Sequence, residues 1–109
     1  MTSAAPTQPQ PMAAALARMW AKFLPEIDAR LKILEESAGA NPLSAEQQTA
    51  AHSAAHKLAG SLGMFGLHRG TELARQTELA LAETPVAATQ ADLADWAAEL
   101  RALIQAPNQ

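Results

Sequence analysis

Apolar side chains recur at three- and four-residue steps along most of this chain, and no segment alternates with period two. That pattern predicts helices and no sheet. Leu16, Met19, Trp20 and Phe23 form one helical face from Met12 onward. Pro25 then interrupts, and because proline breaks a helix interior but suits a first turn, the spacing predicts a short helix ending near Phe23 and a second starting around Pro25. Ile27, Leu31 and Leu34 face inward from the second. Gly39, Asn41 and Pro42 stop it, and Ser44 with Gln47 three residues on resembles a capping box that opens a third helix reaching about Gly63.

A fourth helix is expected from about Leu67 to Glu83, with Leu67, Ala74, Thr77 and Leu81 on one side. Thr84 reads as an N-cap and Pro85 as the first position of a last helix, whose inward stripe is Leu93, Trp96, Leu100, Leu103 and Ile104. Residues 1–11 hold three prolines and hardly any large apolar side chain, too little to offset the entropy of ordering, and read as a flexible leader before a domain over 12–106. The expected fold is all-α, an antiparallel four-helix bundle with an additional short N-terminal helix.

Length and composition narrow the function. A chain of 109 residues has room for one core. Hydrophobic residues are 49% of it, but alanine supplies much of that share beside two Phe, two Trp and no Tyr, which favours closely packed helices. Eight Lys and Arg against eleven Asp and Glu give a formal charge of −3 without a basic stripe, which argues against nucleic acid as a partner. The absence of cysteine removes thiolate catalysis, disulfides and cysteine-based zinc sites. No apolar stretch is long enough to span a bilayer and the N-terminus lacks a secretory signal, so a cytoplasmic protein is expected. The initiating Met and the loose leader favour a free-standing protein, and a monomer is expected.

The chemistry concentrates between Ala51 and Leu67. Each helical residue turns the axis by about 100°, so Ala51, Ala55, Leu58 and Leu62 gather on one face, which must be buried. Ser53, His56 and Gly60 lie opposite, with His52 and Lys57 on the flanks, leaving an exposed imidazole. A mid-helix glycine costs about 1 kcal/mol relative to alanine. Gly60, one turn after His56, either keeps the space over the ring open or lets two helices pack closely, and spacing alone does not choose.

The run His56-Lys57-Leu58-Ala59-Gly60-Ser61, followed by Gly63, Phe65, Gly66 and Leu67, resembles the phosphohistidine motif of the histidine-containing phosphotransfer (HPt) family. The resemblance implies a phosphorelay intermediate that accepts a phosphoryl group on His56 from a receiver-domain aspartate or a kinase and passes it to another receiver domain. It implies a stoichiometric carrier rather than an enzyme, with Mg²⁺ supplied by the receiver and no cofactor of its own. No phosphate-binding Gly-rich loop of a nucleotide site is present in the sequence.

Glu78 stands where the chemotaxis-kinase branch of the family places a glutamate against the phosphoacceptor, a position from which a carboxylate would fix the ring's tautomer. Many members carry lysine three residues after the histidine; here that place is Ala59, and Lys57 or Arg75 is the candidate replacement. The expected docking face for receiver domains takes in His52, Ser53, Ser61, Gly63, Met64, Thr71 and Arg75, with Thr49 at its margin. Two other readings compete. His52 and His56 at i and i+4 could share a zinc ion, although His68 or Glu78 would have to complete the site; or the bundle could be an inert helical adaptor, which leaves the shared exposed face of His56 and Gly60 without a reason.

Overall fold

The computed structural model describes residues 10–105, with side-chain environments from Met12 onward. Among these residues there are four helices and no strand: α1 (Gln10–Gly39), α2 (Ala45–Met64), α3 (His68–Leu81) and α4 (Gln90–Gln105). The leader expected over residues 1–11 lies outside the described residues except for Gln10 and Pro11, which open α1.

Two sequence expectations need correction. The separate N-terminal helix does not form, because α1 runs unbroken through Pro25. Proline removes one donor and strands the carbonyl four residues earlier, here Ala21. Both residues are exposed, so water can satisfy that carbonyl, while the inward stripe continues without interruption from Trp20 and Phe23 to Ile27, Leu31 and Leu34. Leu16 and Met19, which the periodicity assigns to the apolar face, stay exposed near the start of this long helix, as does Met12.

The last helix begins at Gln90 rather than at Pro85. Its cap is Thr89, whose hydroxyl accepts from the Asp92 backbone N–H at 3.0 Å while the Asp92 carboxylate accepts from the Thr89 N–H at 3.1 Å. Residues between α3 and α4 are spent on packing instead: Val86 and Ala88 lean on the core, and Ala87 N–H bonds back to the Ala80 carbonyl at 3.0 Å. The expected opening of α2 does form, with Ser44 and Gln47 bonding each other's backbone N–H reciprocally.

The core is one cluster of side chains from all four helices, including the fully buried Ile27, Leu31, Leu58, Leu62, Leu73, Leu81 and Leu100. Helix α1 packs on α2 and α4, and α3 packs on the same two helices. Polar ties hold the seams. Arg101 on α4 pairs with Asp28 and, through two bonds of 3.1 and 2.8 Å, with Glu35 on α1. Arg69 on α3 grips Glu99 on α4 at 2.7 and 3.1 Å.

Candidate functional site

The α2–α3 pair is fastened at both ends. At the turn, Leu67 N–H bonds the Leu62 carbonyl at 3.0 Å, and Gly66 supplies the left-handed conformation (φ 72°) that other residues resist. Phe65 is set by α1: its ring meets Trp20 edge-on at 5.1 Å between centroids and Phe23 at 6.2 Å. At the far end the Gln48 amide donates to the carbonyls of Leu81 and Glu83 at 2.8 and 3.0 Å. Between these two fastenings the contacts run in opposite order along the two helices, Leu62 against Gly70 and His56 against Glu78.

Leu58, Ala55, Ala51 and Leu62 are wholly buried, which turns the opposite face of α2 to solvent. The His56 side chain is 71% exposed and that of Glu78 only 20%, and Nδ1 of the ring lies 2.8 Å from Glu78 Oε2. A neutral ring donating to this carboxylate carries its proton on Nδ1 and leaves a lone pair on Nε2. Nε2 has no hydrogen-bond partner among the described residues.

Gly60 is exposed one turn along, and a Cβ built on it would meet nothing within 4 Å. The open-space reading of Gly60 therefore fits, and the helix-packing one does not. Lys57 and Arg75 are both exposed, and neither takes part in an ion pair among the described residues. Ala59, three residues after His56, is buried and offers no charge there.

The expected docking residues divide. Thr49, Gly63 and Met64 are exposed and Ser53 is half-buried on the same side as His56. Met64 is 55% exposed, a large apolar group beside the strip. Half-buried His52 lines a cleft of about 410 Å³ with Gln48, Thr49, Leu81, Ala82 and Thr84. Thr71 faces Gly63 across the seam, and its hydroxyl donates to the Leu67 carbonyl at 3.2 Å. Ser61 departs from this group: five residues past His56 it sits about 140° round the helix, and its hydroxyl accepts from Arg30 of α1 at 3.1 Å. Its position ties α1 to α2 and turns it away from the histidine strip.

Among the described residues no group of three or more His, Cys, Asp or Glu side chains is placed to hold a metal ion. Sequence reasoning missed Arg30, Gln48 and Gly70. The first two act across more than thirty residues and leave no local trace. Gly70 had a signal, a second costly glycine in a helical segment.

The model of the Hpt domain matches residues 18–106, nearly the whole chain. The chain belongs to the Hpt domain family. Hpt domains are phosphotransfer intermediates of two-component signalling, carriers rather than classical enzymes, and they work with response-regulator receiver domains. This Hpt domain is also similar to Protein RcaC of Microchaete diplosiphon, 55% identical over 38 residues that make up 35% of this chain and 6% of that protein. The Hpt chain thus corresponds to a small part of that relative's length. No solved structure matches it. No helix among the described residues is long and apolar enough to cross a membrane.

Proposed function

We propose that Nε2 of His56 is the phosphoacceptor, taking the phosphoryl group from a receiver-domain aspartyl phosphate or from a sensor histidine kinase and passing it to a second receiver. The observation that carries this reading is the 2.8 Å contact between Nδ1 of an exposed His56 and Glu78, which leaves Nε2 facing solvent with its lone pair free.

In the accepting step the Nε2 lone pair forms the new bond to phosphorus as the bond to the aspartate oxygen breaks, and the carboxylate leaves with that electron pair. No proton moves. The ring becomes positively charged with Nδ1–H still in place, and the Glu78 carboxylate stabilises that charge. In the return step a second receiver's carboxylate attacks phosphorus, and Nε2 leaves as the neutral imidazole. Lys57, next to His56 in the chain, and Arg75, one turn before Glu78 on α3, supply positive field to the phosphoryl oxygens, and Gly60 keeps the approach clear.

A carrier of this kind needs no nucleotide site of its own, and Mg²⁺ belongs to the receiver. Its helices form an antiparallel bundle that works as a cytoplasmic monomer, because a bound copy over α2 and α3 would cover the acceptor. The receiver docks on the strip of Thr49, Ser53, Gly60, Gly63 and Met64 with His52, Thr71 and Arg75 at its edges, a small footprint suited to a transient complex. Incubation with a phosphorylated receiver and Mg²⁺ is expected to place acid-labile, base-stable phosphate on the chain, and His56→Gln is expected to abolish it with helicity unchanged. Labelling that persists in His56→Gln puts the acceptor elsewhere.

A further inference from the structure

A Cβ built on Gly70 would stand 2.9 Å from Leu62 Cδ1, with Leu62 Cγ and Cβ at 3.7 and 3.8 Å. This is the tightest approach at any glycine described, and both residues are buried. Leu62 is wholly buried, so any shift of its side chain must be taken up by the core packed around it. The Leu62 side chain lies directly over bare backbone of α3.

Gly70, Ala74 and Glu78 follow one another at four-residue steps and so form a single row along α3. That row faces α2: Gly70 touches Leu62 near the turn, Ala74 is wholly buried, and Glu78 reaches His56. Helix spacing depends on the side chains at the contact, and small ones bring the axes together. Bulk introduced at the Gly70 end lifts the same row that carries the Glu78 carboxylate.

We infer that Leu62 and Gly70 are a size-matched pair that sets the distance between α2 and α3, and that Gly70 is thereby a positioning residue for the hydrogen bond from His56 to Glu78. This rests on the reading of His56 as the acceptor with Nδ1 protonated. Neither residue touches the phosphoryl group. Their contribution is to hold a carboxylate on one helix at bonding distance from a ring on the other.

The test is the tautomer of His56, read from its ring ¹⁵N resonances at a pH where the ring is neutral, in the wild type, Gly70→Leu, Glu78→Gln and the exchanged pair Leu62→Ala with Gly70→Leu. Neutral imidazole in water prefers its proton on Nε2. The wild type is expected to show Nδ1 in the protonated range. Gly70→Leu is expected to shift it toward the unprotonated range and to slow transfer from a phosphorylated receiver, and the exchanged pair to restore both.

A helical Gly70→Leu with wild-type ring resonances overturns the role of Gly70. If Gly70→Leu does not fold, the exchanged pair decides: recovery of helicity and of the wild-type tautomer supports the pairing, and failure to recover either overturns it. A wild type without protonated Nδ1 would instead break the reading of His56 and Glu78 on which the inference rests. These failures are distinguishable without measuring phosphotransfer.

Discussion

Nδ1 of His56 and Oε2 of Glu78 lie 2.8 Å apart, although twenty-two residues separate them in the chain and they sit on different helices. The ring is mostly in water while the carboxylate is mostly covered. The covered group is therefore the more confined one, and a neutral ring donating to it keeps its proton on Nδ1.

Removing that carboxylate's charge while keeping its shape isolates its effect. Glu78→Gln is expected to slow phosphoryl transfer to His56 roughly tenfold, the scale of one charged hydrogen bond partly screened by water. The melting temperature is expected to stay close to wild type, since the bond lies at the surface. Rapid-quench kinetics beside a thermal melt check both, and an unchanged rate would remove Glu78 from the mechanism.

Gly60 separates stability from docking. No described residue comes within 4 Å of a Cβ built there, so Gly60→Ala is expected to stabilise the chain by about 1 kcal/mol through helix propensity alone. Gly60→Phe fills the approach to His56 and is expected to slow transfer strongly while leaving the core intact. Denaturant titration and transfer rates on the two variants check this, and a Gly60→Phe variant with the wild-type rate would contradict the open-approach role.

Acid should loosen the α1–α4 and α3–α4 seams. Hydrogen bonds from Arg101 and then Lys32 hold the Asp28 carboxyl below its usual range, and Arg69 does the same to Glu99. Bonds from Glu35 and Asp28 push the Arg101 guanidinium higher still. A carboxyl whose folded pKa is lowered contributes stability that is complete above its unfolded value, about 4, and is lost as pH falls through the folded value. Melting temperature is expected to fall from about pH 5 downward, and Asp28→Asn to be less stable at neutral pH with a shallower acid dependence. An equal slope in the variant would show that Asp28 does not contribute to it.

The start of α4 offers a direct contrast between two threonines. Thr89→Ala is expected to cost about 1 kcal/mol, the usual loss of an N-cap, whereas Thr84→Ala loses no cap. Chemical denaturation of the two variants checks it. Equal losses would mean that Thr84 carries a share of the capping.

What the sequence made legible was short-range. The Ser44 and Gln47 box, the buried face of Ala51, Ala55, Leu58 and Leu62, and the exposed position of His56 all follow from spacing within one helix. Pro25 misled because the penalty of an interior proline is local, while the continuity of α1 comes from Phe65 and the core beyond it. Thr84 misled because a following proline is a strong local signal, and the packing of Val86 and Ala88 that delays the helix is tertiary. Arg30 on Ser61, Gln48 on Leu81 and Leu62 over Gly70 are contacts between helices, and a single sequence carries no mark of which surfaces will meet.

The linkage isomer of the phosphorylated chain tests the central claim most directly. After labelling from a phosphorylated receiver, ³¹P and ¹⁵N NMR on the intact domain, with the modified residue mapped by mass spectrometry under alkaline conditions, are expected to find one phosphoryl group on Nε2 of His56. A phosphoryl group on Nδ1, or on any other residue, would contradict it.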